Sequence, residues 1–235
     1  MSTKLKIAAA VAAAVLLSAC SSPKHEPMPL VNFTPSMEVT EVWSKGLSSA
    51  EGFLVPAVYD DMVFAAGGKT LTRLNARTGE TEWSVSFDSP ITGGVGSDGY
   101  VTAVGLWDGN LEVVDAEGKV SWEKKLTTEL ASPPVVSHGL VIARTMDTRV
   151  SAFEASSGEL QWTYQKSQPA LTVRLPTRML AHDNFLLVGQ PNGHIVILDI
   201  ASGKPVFEFQ VAQAKGVTEV ERLVDVVGAR PLAKT

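Results

Sequence analysis

From about residue 51 the chain is written in short runs in which apolar and polar residues alternate with period two, broken by clusters of Gly, Asp, Asn and Ser. The stretch from Leu140 shows the pattern: LVIART (140–145), the turn MDT, RVSAFEA (149–155), the turn SSGE, and LQWTYQ (160–165). Alternation places successive side chains on opposite faces of a strand, and the β-branched and aromatic content favours the same state. The intervening residues supply hairpin turns. The pattern therefore predicts a succession of short strands joined by tight turns.

The pattern also repeats. RTGETEW (77–83) returns as AEGKVSW (116–122), SSGELQW (156–162) and ASGKPVF (201–207). The repeat glycines Gly79, Gly118, Gly158 and Gly203 are 39, 40 and 45 residues apart, and Trp83, Trp122, Trp162 and Phe207 keep that spacing. Trp43 stands 40 residues before Trp83. A second marker runs in phase: Asp61, Gly99, Gly139 and Asn184 precede the apolar runs MVFAAG, YVTAVG, LVIART and FLLVGQ. A unit of about 40 residues with four strands is the repeat of a β-propeller blade, whose sheet must stack on neighbours to bury both faces. The fold class expected is all-β, a β-propeller of four-stranded antiparallel blades. Blades are placed at about 51–87, 90–126, 133–166 and 178–210, with the start of a fifth after 211 and Trp43 in a preceding strand. Each repeat glycine is expected to supply a backbone angle that other residues reach only with strain. The aromatic four residues on is expected to pack against a neighbouring unit. Four units and a start do not close the usual ring, so the propeller is read as incomplete, a fragment of a longer one.

Residues 1–19 read differently. Lys4 and Lys6, an uncharged run from Ile7 to Leu17, and small residues at Ser18 and Ala19 form a secretory signal, with an apolar run too short to span a bilayer. The sequence LSAC resembles a bacterial lipobox, which makes Cys20 the lipidation site; Ser21 in place of Asp directs the expectation to the outer membrane, facing the periplasm. Residues 20–40 are read as the lipidated cysteine and an extended tether, with four prolines among the sixteen residues after Cys20. Residues 41–235 are the partial propeller. Cys20 is the only cysteine, so no intramolecular disulfide forms. Loss of residues 1–19 moves the formal charge from −5 to −7, and an acidic chain without a Lys/Arg cluster argues against nucleic acid as a partner.

Catalytic and cofactor motifs are weak. GGVGSDG places Gly94, Gly96 and Gly99 in G-x-G-x-x-G spacing, but alternating strands follow where a phosphate-binding helix is required. Trp107 and Asp108 form a Trp-Asp pair that precedes a turn instead of closing a blade. His25, His138, His182 and His194 are scattered singly, without ligand spacing. No nucleophile elbow and no paired acid and base are placed. No enzyme activity, metal, cofactor or small-molecule substrate is expected.

Units of the form L-x-A/V-L/F-D/N/E-A-x-x-G-x-x-x-W resemble the tryptophan-docking blade repeat of pyrroloquinoline-quinone (PQQ) dehydrogenases and their non-catalytic relatives. Together with the lipobox, the proline tether, LTVRLP and GVTEVERLVDV, the chain is similar to the scaffold lipoproteins of the outer membrane β-barrel assembly machinery. That resemblance implies an eight-bladed, non-catalytic propeller that binds the periplasmic POTRA domains of the machinery's central barrel protein. It also implies two contact loops. A leucine-x-leucine-arginine run is matched by Leu171, Thr172, Val173 and Arg174, with Val173 in place of the second leucine; an aspartate pair is matched by Asp225, with Val227 in place of the second acid. The longer interval before the fourth unit independently points to an insertion of about five residues within SQPALTVRLPTR, and loops carry function more often than the scaffold they join. Two alternatives stand beside this reading: a fragment of a PQQ-dependent dehydrogenase, for which the adjacent-cysteine disulfide is missing, and a generic cell-envelope propeller lipoprotein.

Overall fold

Among the described residues the alternating runs form sixteen strands in four sheets, and each sheet is a meander of four consecutive antiparallel strands. The computed structural model describes residues 37, 39–48, 54–167, 177–191, 193–213, 215, 217–218, 223–224 and 226. Strands β1 (Ala57–Tyr59), β2 (Met62–Gly67), β3 (Thr70–Asn75) and β4 (Thr81–Ser86) make the first sheet. The second holds β5 (Ile91–Ser97), β6 (Thr102–Leu106), β7 (Asn110–Val114) and β8 (Val120–Lys125). The third holds β9 (Val135–Ser137), β10 (Leu140–Arg144), β11 (Val150–Glu154) and β12 (Leu160–Tyr164), and the fourth β13 (Leu180–His182), β14 (Phe185–Gly189), β15 (His194–Asp199) and β16 (Pro205–Gln210). No helix occurs among the described residues.

Three apolar cores lie between consecutive sheets. Phe64 and Leu71 of the first sheet meet Ile91, Val95 and Val104 of the second. Leu111 and Val113 of the second meet Val141, Ala143 and Phe153 of the third. Ile142, Val150 and Ala152 of the third meet Leu186, Val188, Val196 and Leu198 of the fourth. The third sheet therefore buries both faces, which explains why LVIAR (140–144) is apolar at nearly every position: Val141 and Ala143 turn one way, Leu140 and Ile142 the other. Stacking of this kind, with one core per pair of neighbouring sheets, is an incomplete propeller.

The third and fourth strands of every unit slip register at the same place, between Arg73 and Leu74, Val113 and Val114, Ala152 and Phe153, and Ile197 and Leu198. A bulge there sharpens the twist just before the docking aromatic. Residues 41–48, around Trp43, pair with no other strand among the described residues; the contact that fixes Trp43 is a side-chain one.

Candidate functional site: the loop face of the propeller

The repeat motif becomes a joint between units. In the first, second and fourth units the residue at or just past the end of the third strand bonds the following turn. Asn75 Oδ1 accepts from the Arg77 and Thr78 amides, Asp115 Oδ1 from those of Glu117 and Lys119, and Asp199 Oδ1 from that of Ser202. The repeat glycine closes that turn with positive φ, +71° at Gly158 for example. The tryptophan of the preceding unit then lies on the glycine. A Cβ on Gly79, Gly118, Gly158 or Gly203 would stand 2.7, 2.8, 2.7 or 2.4 Å from an indole carbon of Trp43, Trp83, Trp122 or Trp162. Each indole Nε1 donates across the joint to a backbone carbonyl: Trp43 to Ala76, Trp83 to Ala116, Trp122 to Ala155 and Trp162 to Ile200, at 2.8 to 2.9 Å. The bare glycine is needed twice, for its φ and for the space the indole occupies.

These joints hold a face of loops. In a four-stranded meander the second hairpin and the connection to the next unit emerge at the same end of the sheet. There the segments bond to one another: the Phe87 amide to Lys69 O, Ile91 to Gly68 O, Trp107 to Pro90 O, Leu126 to Gly109 O, Met146 to Glu129 O and Val211 to Gly193 O. Lys69 Nζ donates to Asp88 O at 2.7 Å, and Lys125 Nζ donates to Asp108 O. Backbone groups paired this way leave side chains, not open carbonyls, for contact with another molecule.

The two segments singled out in the sequence leave from this face, one between β12 and β13 and the other beyond β16. Leu171, Val173, Arg174 and Asp225, with Thr172 and Val227, lie outside the described residues, as does Cys20. Their described neighbours meet: Thr177 Oγ1 donates to Val226 O at 3.2 Å, and the Val226 amide donates to Gln190 O at 3.2 Å. A Cβ on Gly189 would stand 2.8 Å from Val226 O, so glycine at that position lets the second segment pass close to β14.

In the sequence Trp107 reads as an incidental partner of Asp108. In the fold it is 61% exposed at the β6–β7 turn on the loop face, while Asp108 holds the turn by accepting from the Asn110 amide. A large exposed aromatic on such a face is a contact candidate. The sequence signal was available in its place: a tryptophan beside a turn, out of phase with the docking repeat.

The glycine run of β5 also has a mechanical role. Cβ atoms on Gly93 and Gly96 would stand 2.8 Å from Leu130 Cβ and 2.0 Å from Pro134 O, so the run lets the entry to the third unit press against the second sheet. Nearby, Glu112 is 6% exposed and faces Glu123 across the β7–β8 pair. Burial, reinforced by Glu123, Asp108 and Asp88, pushes its carboxyl up to about 7. Among the described residues no group of three His, Cys, Asp or Glu side chains is placed to hold a metal ion, and no helix is long and apolar enough to cross a membrane.

The family model of the outer membrane protein assembly factor BamB matches residues 67–233. The assembly factor BamB of Burkholderia pseudomallei is 39% identical over 230 residues, covering 95% of this chain and 60% of its own length. The crystal structure of BamB from Moraxella catarrhalis superposes with a TM-score of 0.67 at 29% identity, covering 74% of this chain and 54% of that one. Quinohemoprotein alcohol dehydrogenase from Comamonas testosteroni superposes at 0.53 with 19% identity, covering 70% of this chain and 35% of that one, a likeness of fold alone. The chain spans about 60% of the length of the curated relatives it matches.

Proposed function

We propose a function that starts from one fact: the chain belongs to the family of the outer membrane protein assembly factor BamB. In this reading it is a non-catalytic lipoprotein of the β-barrel assembly machinery. Acyl chains on Cys20 hold it at the outer membrane, where more than one chain is needed for a stable anchor, and it faces the periplasm. Its loop face binds the POTRA domains of the central barrel protein and so assists assembly and insertion of outer membrane β-barrel proteins.

Leu171, Val173 and Arg174 supply an apolar anchor beside a cation, the composition favoured at interaction hot spots, and Asp225 adds an acid to the same surface. The observation that supports the reading is the pair of hydrogen bonds joining Thr177, Val226 and Gln190, because it ties together the described flanks of two segments far apart in sequence. One partner domain can then span both.

Capture of the chain by immobilised POTRA domains tests the proposal. Arg174→Glu should weaken capture by about tenfold or more, the scale of losing one charged contact at an interface. Undiminished capture moves the interface away from this loop. Cys20→Ser should release the protein from the membrane fraction; retention there would refute the anchor. A thermal shift on adding PQQ, or dye-linked dehydrogenase activity, would overturn the non-catalytic reading.

A further inference from the structure

A cavity of about 320 Å³ opens between the second and third sheets, lined by Lys124 and Lys125 of β8 and by Ser151, Phe153, Leu160 and Thr163 of the third sheet, with Arg149 just before β11. Its position in the repeat is unusual. The residue two places after the docking aromatic is Val85 in the first unit, Tyr164 in the third and Phe209 in the fourth, but Lys124 in the second. Val85 and Tyr164 pack against the cores between their own sheet and the next. Lys124 is paired in register with the fully buried Leu111, so it stands on the same side of the second sheet, toward the third. What it meets there is polar as well. Ser151 and Thr163 bond each other at 3.3 Å, and Ser151 holds the position that the apolar Val196 holds in the fourth unit.

The cations of this cavity are not equally engaged. Lys125 donates to the Asp108 carbonyl. Lys124 has no hydrogen-bond or ion-pair partner among the described residues. Arg149 Nε forms an ion pair with Asp147 at 3.8 Å, beyond hydrogen-bond reach, and is buried without a hydrogen-bond acceptor. Asp147 already accepts from the Thr145 hydroxyl and from the Arg149 amide. A buried donor left unpaired is costly, so a site that keeps one open beside a second cation is suited to an incoming anion. Leu160 and Phe153 supply an apolar wall alongside, and a pocket of this volume is at the lower end of the range that holds small molecules.

We propose that this inter-sheet cavity binds a small amphiphilic oxyanion, its carboxylate or phosphate head between Lys124 and Arg149 and its apolar stem on Phe153 and Leu160. None of its lining residues belongs to the two segments assigned to the partner protein, and the proposal does not rest on that assignment.

The test titrates hexanoate and hexyl phosphate into the full chain while following the indole N–H signal of Trp122, whose ring lies 6.0 Å from that of Phe153. Saturable shifts with either hexyl anion are expected, and the tighter of the two identifies the head group as carboxylate or phosphate. Lys124→Val, which installs the residue of the first unit at the same repeat position, and Arg149→Gln should each weaken binding by about tenfold or more. An unperturbed Trp122 signal in the unliganded variants checks that the joint is intact. The proposal is overturned if neither hexyl anion gives a saturable shift, if hexanol or inorganic phosphate binds as tightly as they do, or if both variants bind like the parent.

Discussion

Gly158 and Gly139 make a controlled pair for the central physical claim, that a glycine in each unit is the seat for the preceding unit's indole. Both have nearly the same backbone angle, φ +71° and +72°. An alanine Cβ at 139 would meet nothing within 4 Å, whereas at 158 it would stand 2.7 Å from Trp122 Cδ2 and 2.9 Å from Cε3. Placing alanine in the left-handed region costs about 1–2 kcal/mol, partly offset by a stiffer unfolded chain, so Gly139→Ala should lose about 1 kcal/mol. Gly158→Ala carries the same conformational cost and must also displace the ring. Moving it breaks the 2.8 Å bond from Trp122 Nε1 to Ala155 O, worth about 1 kcal/mol. It also disturbs the tilted contact with Phe153, 6.0 Å between centroids, worth about 0.5–1.5 kcal/mol. The expected loss is about 3 kcal/mol at Gly158 against about 1 at Gly139. Guanidinium unfolding followed by circular dichroism gives both values, and repeating the Gly158 substitution in a Trp122→Leu background closes a double-mutant cycle. A difference below about 0.5 kcal/mol between the two single variants, smaller than one such hydrogen bond, would refute the seat.

Two further outcomes follow from the same geometry. Glu112 has a folded-state pKa of about 7, above the ordinary 4.5, so the folded chain holds its proton longer and stability falls as pH rises from about 4.5 to about 7. Each tenfold gain in proton affinity on folding corresponds to about 1.4 kcal/mol, and solvent screening around its exposed partner Glu123 reduces the total to about 1–2 kcal/mol. Glu112→Gln should therefore raise the melting temperature at about pH 8 and leave it unchanged near pH 4, and parallel pH profiles for parent and variant would disprove this. Trp162 is 9% exposed and docked on Gly203, whereas Phe207, in the same repeat position, is 59% exposed. Trp162→Ala should cost about 3–5 kcal/mol and Phe207→Ala under about 1, measured by denaturant midpoint, and comparable losses would mean Phe207 has a seat of its own.

The sequence made the repeat legible because a docking joint needs two residue types that little else replaces, a glycine with positive φ and an aromatic with an N–H. It left the direction of docking open. Gly79 seats Trp43, which lies 36 residues before it, not the nearer Trp83, and only the stacking of sheets reveals that. Close backbone approach was equally hidden. GGVGSDG spelled a phosphate-binding spacing, yet Gly93, Gly94 and Gly96 clear the path of Leu130, Pro133 and Pro134 at the entry to the third unit. The same limit applies to Lys124: charge at a core-facing repeat position is visible in the aligned units, but Arg149, facing it from another sheet, is not. For the proposed partner surface, the residue types of two loops are read from the sequence, and the fold adds that the described flanks of those loops meet at Thr177 and Val226.

The fourth sheet shows how far the joint governs the rest. Leu187, Ile195, Ile197, Phe207 and Phe209 share its outer face, since Leu187 and Phe207 both pair with Ile197 and Phe209 pairs with Ile195. Residues at the same places in the first three sheets, Arg73 and Lys124 excepted, form cores with the following unit. Here the described cover is the short run at Val224 and Val226, which reaches Gly193 and Gly189, and Phe207 is left in solvent. In a repeat architecture each interface stabilises its neighbours and little beyond them, so the loss at this face falls on the fourth sheet. The β12–β13 connection and the segment after β16 both attach to that fourth sheet. Docking of another apolar unit on Phe207 and Phe209 would therefore stabilise the fourth sheet and, with it, the bonded flanks Thr177, Gln190 and Val226 of the two segments assigned to the proposed partner.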